Sequence, residues 1–456
     1  MSSQKILIIT GIFFTLLSCQ EGKESNDGGS ISLDRIHSEI KQVLENQILA
    51  AWYPRTVDSL HGGFLSDFDS AWHIAGDQNK MIVSQARQVW TCSRAYEHYP
   101  EKKIYLSMAR QGFEFLRDVM WDTAYGGFYN LVSREGLPLP LPGAGGWQKQ
   151  AYGNAFAIYG LAAYYRVSRD EEALNLAKKT FQWLEDYSHD PQYGGYFQFL
   201  QRDGSPLMAG FAGTPPKDQN SSIHLLEAFT ELYPLWPDPG LRERLSEMLL
   251  IIRDTLVGGK NYLTLFCDRQ WTPLSYRDSS KAVRESHYHL DEVSFGHDIE
   301  TVYLLREAAE ALEGTVDPPT EKVTRRMAEH ALEQGFDAAI GGMYDAGYYE
   351  QVGGPLKIVR DSKNWWAQAE TLNTLLILAQ RYPDDPHHYL KLFKMQWEYI
   401  DQYLVDHQFG GWYNYGLDKS PRSREQHKAH IWKTPYHTAR ALFNVSNRLE
   451  EMHSGR

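Results

Sequence analysis

Six Gly-Gly pairs recur at near-regular spacing along the chain, most of them with an aromatic residue directly after, and nothing else in the sequence restricts the fold as strongly. They stand in His61-Gly-Gly-Phe64, Tyr125-Gly-Gly-Phe128, Tyr193-Gly-Gly-Tyr196, Val257-Gly-Gly-Lys260, Ile340-Gly-Gly-Met343 and Phe409-Gly-Gly-Trp412, at intervals of 64, 68, 64, 83 and 69 residues. Between them apolar residues recur at three and four positions, the period of one helix face, first in Ile36, Ile40, Val43, Leu44, Ile48, Leu49 and Trp52. Similar stretches cover 104–120, 155–165, 173–184, 223–235, 241–256, 299–312, 366–381, 389–404 and 438–449, and long alternating runs are missing. A period of this length exceeds the common solenoid repeats and fits two helices, a glycine turn and a short β-hairpin.

Six such units predict an all-α chain folded as an (α/α)6 barrel, six inner helices ringed by six outer ones, in a single domain over 33–456. Length alone, at about 150 residues per domain, would predict roughly three domains, and the repeat overrules it. An open superhelix is the rival arrangement, but it calls for shorter repeats and plain capping units. In a closed ring, the inner-helix ends and loops at one mouth surround a single pocket.

Lys and Arg number 46 against 58 Asp and Glu, a net charge of −12. That balance excludes nucleic acid as a partner and favours a neutral over an acidic substrate. The aromatic content, 13 Trp, 28 Tyr and 19 Phe, offers flat amphipathic rings of the kind on which sugars stack.

The apolar run Ile6 to Leu17 behind Lys5 is too short to span a bilayer and has the layout of an export signal. It ends Leu16-Leu17-Ser18-Cys19, which resembles the lipobox of bacterial lipoproteins. The expectation is a signal peptide over 1–18, a lipid-modified Cys19 and a polar flexible tether over 19–32. The domain would then be exported and lipid-anchored in the bacterial cell envelope, on the periplasmic side or the surface. Cys92 and Cys267 form neither a disulfide framework nor a metal cluster and are read as buried thiols.

Several histidines and carboxylates sit in apolar helical runs, where unpaired charge is expensive. His224 and Glu227, and again His297 and Glu300, stand one turn apart on a helix face. Trp365, Trp366 and Glu370 start a third helix, Trp432 to His437 precede the last, Arg87 and Trp90 stand early in another, and Lys149, Tyr152 and Asn154 lead into one more. Singly, each has a structural reading. A helical histidine can be a satisfied core residue, Trp365 and Trp366 can be core, and Glu227 can anchor His224. Lys149 and Lys433 can be solvated or structurally paired, and Asp298 can be a first-turn charge on the helix dipole. Recurrence at equivalent places in separate repeats points instead to one site.

Three chemistries fit that set. A metal site is disfavoured, because His precedes Glu in each pair and the His-Glu-x-x-His spacing is absent. Glycoside hydrolysis needs two opposed carboxylates, with Glu227, Glu300 and Glu370 as candidates. Proton transfer next to a carbonyl needs two groups titrating near neutrality, which histidine supplies unaided.

At these motifs the chain resembles the N-acylglucosamine 2-epimerase superfamily, and within it the cellobiose 2-epimerase family, from about Leu33 to Leu449. The pieces that carry it are Ser294-Phe-Gly-His-Asp-Ile-Glu300, Asn220-Ser-Ser-Ile-His-Leu-Leu-Glu-Ala228, Trp365-Trp-Ala-Gln-Ala-Glu370 and Trp432-Lys-Thr-Pro-Tyr-His437. The resemblance implies an (α/α)6 barrel and a reaction needing no metal or cofactor. That reaction is reversible epimerisation at C2 of the reducing-end glucose of a β-1,4-linked disaccharide, through ring opening and a cis-enediolate. It further implies His297 and His437 as the acid/base pair, Glu300 orienting His297, and His224 assisting ring opening or binding sugar. Arg87, Tyr152 and Asn220 would hold hydroxyls and the enediolate, while Trp366, Glu370 and Trp432 would shape the sugar site. Tyr303 departs from the pattern by standing where several disaccharide epimerases carry Trp, which bears on stacking of the second sugar. Within the superfamily the alternatives are a mannobiose 2-epimerase, an N-acylglucosamine 2-epimerase and an aldose–ketose isomerase. From other classes they are a periplasmic (α/α)6 glycoside hydrolase and a non-catalytic glycan-binding lipoprotein.

Overall fold

A computed structural model describes residues 32–140, 148–210, 213–351 and 353–454. The expected signal segment 1–18, Cys19 and all of the tether except Ser32 lie outside the described residues.

The helices are α1 (Leu33–Gln42), carried on by a π-helical stretch Val43–Leu49 into α2 (Ala50–Trp52), then α3 (Ile82–His98), α4 (Ile104–Phe115), α5 (Ala151–Ser168), α6 (Glu171–Tyr187) and α7 (Gln219–Leu232). There follow α8 (Pro239–Leu250), α9 (Lys281–Asp291), α10 (Phe295–Glu313), α11 (Pro318–Gly335), α12 (Trp365–Arg381), α13 (Tyr389–Tyr403) and α14 (Tyr436–Ser454). Their boundaries follow local chemistry. Side chains of Ser32, Asp170, Asp238 and Asp317 accept backbone N–H groups at the starts of α1, α6, α8 and α11, and Pro239 and Pro318 stand just inside the last two. Gly314, in the left-handed region at φ 72°, ends α10.

Helices α3, α5, α7, α10, α12 and α14 each pack on the next, and α14 packs back on α3, which closes the inner ring. Helices α4, α6, α8, α11 and α13 cover them outside, and α1 completes the outer layer against α14. The N- and C-terminal parts are stitched where Trp397 Nε1 donates to Glu39 (2.9 Å) and Trp72 Nε1 donates to the Phe409 carbonyl (2.9 Å). Inner helices are buried nearly all round; in α5 every residue from Ala151 to Tyr164 is buried. Outer helices bury one stripe, as Ala173, Leu176, Ala177, Thr180, Phe181 and Leu184 do in α6. Close approach needs small residues: a Cβ at Gly160 would lie 2.6 Å from the Ala86 carbonyl oxygen, so α3 and α5 meet at that glycine.

In five of the Gly-Gly pairs both glycines take φ between 63° and 89°. The fourth pair differs from the repeat expectation, because only Gly258 is left-handed there. An aspartate stands four residues before the first glycine in each of these five loops, and a buried lysine grips it: Asp58–Lys80 and Asp337–Lys363 at 3.0 Å, Asp122–Lys149 and Asp190–Lys217 at 3.1 Å, and Asp406–Lys428. Lys80, Lys217 and Lys363 also donate to the first glycine's carbonyl at 2.6, 2.7 and 2.9 Å, as Lys149 does to that of Gly126. Lys80, Lys149, Lys217 and Lys363 each stand two residues before an inner helix, so the staple fixes where that helix begins. Lys149 is therefore structurally paired and buried, not solvated; Lys433, also buried, donates to the Trp412 carbonyl at 2.7 Å.

The expected β-hairpin forms in full where Ala346–Tyr349 pairs with Leu356–Arg360, and in other units it is reduced to single bridges such as Val132–Pro138, Leu200–Pro206 and Cys267–Pro273. Elsewhere the longer pairing spans a whole unit. Strands β1 (Lys80–Met81) and β2 (Leu131–Val132) pair antiparallel, as do β3 (Gln148–Gln150) with β4 (Phe199–Gln201) and β5 (Lys217–Asp218) with β6 (Phe266–Cys267). Strands β7 (Val293–Ser294), β8 (Ala346–Tyr349) and β9 (Leu356–Arg360) form a three-stranded sheet. The long 83-residue interval is explained by the additional helix α9. Cys92 and Cys267 are free and buried.

Candidate active site

Because the inner helices all begin at one mouth, equivalent positions form tiers. Tyr152, Asn220, His297, Trp366 and His437 occupy first turns, and Arg87, His224, Glu300, Glu370 and Arg440 lie about one turn deeper. Together they converge on a cavity of about 1010 Å³. Of the residues expected at a site, Arg87, Tyr152, Asn220, His224, His297, Glu300, Trp366, Trp432 and His437 line it, with Trp432 half-exposed at the rim.

His297 and His437 lie against the same indole, with ring centroids 4.8 and 5.7 Å from Trp366. Nδ1 of His297 is 2.8 Å from Ser294 Oγ, and Nδ1 of His437 is 2.6 Å from Glu370 Oε1. In both rings Nε2 has no hydrogen-bond partner among the described residues. Burial, with the positive fields of His224, Arg360 and Arg87, lowers His297 to about 3. Burial, Arg87 and Arg440 likewise hold His437 well below the usual imidazole range. Both rings are therefore neutral at pH 7 and titrate well below the near-neutral range expected of them, because burial and the nearby cations disfavour the imidazolium.

Beneath them three carboxylates share one guanidinium. Arg440 Nη2 donates to Glu300 at 2.5 Å and to Glu370 at 2.7 Å, and Nη1 donates to Glu227. Tyr303 donates to Glu370 at 2.7 Å, Tyr436 donates to Glu227, and His224 Nδ1 is 2.8 Å from Glu227. Burial alone would raise Glu227, but Arg440 and His224 bring it down to about 2. Burial and the like charge of Glu370 push Glu300 up to about 7, and burial raises Glu370 as well. Glu300 and Glu370 thus bind a proton more readily than free carboxylates do. Near the mouth, Arg87 donates to Tyr152 OH at 3.0 Å and lies over the ring of Phe156.

Several expectations need correction. Glu300 does not orient His297: it is tied to Arg440 and lies 4.0 Å from Nδ1 of His437, while Ser294 takes the His297 contact. Glu370 does not reach the cavity; it is fully buried behind His437. Tyr303 is buried beside Glu370 and Arg440, outside the cavity, so its departure from Trp does not touch sugar stacking. Trp90 is packed against Tyr159 and Tyr436, whereas Trp365 lines the cavity. Asp298 is no dipole charge. It accepts the Leu263 N–H at 2.9 Å, where Gln85, Asn154 and Gln368 bind Phe64, Phe128 and Met343 in other units, and burial pushes it up to about 8.

Glu300, Glu370 and His437 are close enough together to suggest a metal set. The guanidinium of Arg440 already bridges both carboxylates and supplies the positive charge a cation would bring. Arg440 is a functional residue that the sequence reading missed. Its signal was an arginine three positions after His437 at the start of the last helical stretch.

A ring of six helical hairpins with two histidines over a carboxylate cluster at one mouth is a barrel whose pocket is equipped for acid–base chemistry. The N-acylglucosamine 2-epimerase (GlcNAc 2-epimerase) family model matches residues 62–441, and the chain belongs to that family. It is 29% identical to a cellobiose 2-epimerase of Bacteroides fragilis over 90% of this chain and 98% of the relative. Against a cellobiose 2-epimerase of Dictyoglomus turgidum it is 26% identical, over 92% and 100%. The solved structure of cellobiose 2-epimerase from Spirochaeta thermophila superimposes with a TM-score of 0.79 at 30% identity, covering 92% of this chain and 98% of that one.

Proposed function

We propose that the chain epimerises the reducing-end sugar of a β-1,4-linked disaccharide at C2, interconverting cellobiose and glucosyl-mannose. The observation that carries this reading is the pair of buried histidines on one indole, each with Nε2 unpaired among the described residues, above a carboxylate cluster gathered on Arg440. After the pyranose opens, one histidine removes the C2 proton and the electron pair moves onto the carbonyl oxygen. Arg87 and the Tyr152 hydroxyl stabilise that oxyanion. Rotation about C2–C3 presents the other face of the cis-enediolate, and the second histidine returns a proton to C2. His437 exchanges its proton with Glu370 at Nδ1, and His297, whose Nδ1 is bonded to Ser294 instead, exchanges its own with water entering the cavity. The cellobiose 2-epimerases similar to this chain support the choice of substrate.

The test is incubation in D2O with cellobiose, mannobiose, glucose, mannose and N-acetylglucosamine, followed by NMR at C1 and C2. Deuterium at C2 with the matching epimer is expected for a disaccharide. A ketose product would indicate an aldose–ketose isomerase, a shortened sugar a hydrolase, and no exchange with any sugar refutes the reading. His297→Ala and His437→Ala should each lower exchange by about 10²–10⁴-fold while the fold persists.

We propose too that lipid on Cys19 anchors the domain in the cell envelope, as the lipobox-like Leu16-Leu17-Ser18-Cys19 suggests. No helix among the described residues is long and apolar enough to cross a membrane. Cys19→Ser should move the protein from the membrane to the soluble fraction.

A further inference from the structure

The longest Gly-Gly interval carries a segment the other units lack, and it leads straight into the site. Helix α9 ends at Asp291, whose carboxylate accepts the Tyr276 N–H at 2.7 Å, Ser275 Oγ at 3.2 Å and Tyr348 OH at 3.2 Å. The next residue, Glu292, is thereby held in place although it lies in no helix. Val293 is fully buried, whereas Glu292 and Ser294 both line the cavity, as alternation along an extended segment requires. Ser294 is the hydrogen-bond partner of His297, and two residues of extended chain cover roughly 7 Å. Glu292 therefore stands on the cavity wall about 7 Å along the chain from Ser294, the residue that holds His297. It is only 5% exposed, and its hydrogen-bond partner among the described residues is Arg360. Arg360 ends β9, lines the same cavity and is 50% exposed. Burial pushes Glu292 up to about 7 against the pull of Arg360; a carboxyl group hydrogen-bonds hydroxyls in either protonation state, and a guanidinium donates to hydroxyl and ring oxygens. Together they match the vicinal diol of a neutral pyranose.

We infer that Glu292 and Arg360 bind the second, non-reacting sugar, so that the α9 segment is what makes this site select a disaccharide over a monosaccharide. This rests on the epimerase reading above. The test measures C2 deuterium exchange with cellobiose and, in parallel, mannose, for the wild type, Glu292→Gln and Arg360→Met. Hydrogen bonds to charged groups set the scale: the ratio of kcat/KM for cellobiose to that for mannose should fall about 10–100-fold, mostly through KM. Loss of a merely structural ion pair would lower thermal stability and slow both sugars equally, leaving the ratio unchanged, and that result overturns the inference. Should Arg360→Met fail to fold, the nearly isosteric Glu292→Gln decides. Wild-type exchange with mannose but not cellobiose also overturns the inference while leaving proton transfer by the two histidines standing. Wild-type exchange with neither refutes the epimerase reading itself.

Discussion

Arg440→Met tests the electrostatic account of the site most directly. The arginine is 3% exposed and is the counter-charge for Glu227, Glu300 and Glu370, which are 4%, 1% and 0% exposed at their side chains. Removing one partner of a buried ion pair costs about 3–5 kcal/mol, because the other charge is left without compensation. Unfolding entropy of about 2.1 cal/mol/K per residue, over a ring of about 420 residues, converts that to a fall in Tm of roughly 3–6 °C. The loss should depend on pH. Without Arg440 the carboxylates bind protons more tightly in the folded chain, so the variant is hurt most at pH 8 and least near pH 5. Activity should fall as well, since Glu370 holds Nδ1 of His437. Thermal melts of wild type and variant at pH 5, 6.5 and 8 read the effect. A Tm loss under about 1 °C at pH 8, or an equal loss at all three pH values, refutes the shared-guanidinium argument. Arg440→Lys should fall between the two, because one ammonium cannot fork to three carboxylates.

Two further outcomes follow from the same structure. Glu300 titrates at about 7 when folded against 4.5 as a free side chain, so its contribution to stability is full below pH 4.5 and drains away as pH rises through 7. Glu300→Gln stays uncharged throughout and should gain on the wild type across that window by something on the order of 3 kcal/mol; melts in which the gap does not widen from pH 5 to pH 8 would exclude the raised carboxyl. Lys80→Met, far from the histidines in sequence, leaves Arg134 as the one cation on Asp58 among the described residues and should cost about 3 kcal/mol in chemical denaturation; a change below about 1 kcal/mol would mean that the lysine staple is not what holds the loop.

Much of the tertiary plan was legible because it repeats. The Gly-Gly pairs marked left-handed turns that only glycine enters readily, and the helical spacing between them marked two helices per turn, so the barrel followed from counting. Two features of the repeat escaped. The aspartate four residues before each of five glycine pairs and its lysine partner are 22 to 27 residues apart, too far for any local period to reveal. The fourth pair looked like its fellows in sequence, yet Gly259 is not left-handed. Site residues were found where they opened a helix, which is why Arg87, Tyr152, Asn220, His224, His297, Trp366 and His437 all line the cavity.

Partnership was the part that sequence could not supply. A His-x-x-Glu spacing places both groups on one helix face, and for His224 and Glu227 that sufficed, because both stay on α7. The identical spacing at His297 and Glu300 misled: Glu300 turns toward α14, and the fully buried Glu370 crosses from α12 to His437. Closing the ring set α10, α12 and α14 side by side, and a buried carboxylate goes to whichever positive or donor group lies nearest in space, not nearest in the chain. The sequence by itself determined the barrel, the mouth and the residue types there. Only the tertiary structure decided which carboxylate serves which histidine, because desolvation makes each buried charge answer to neighbours brought in from other helices.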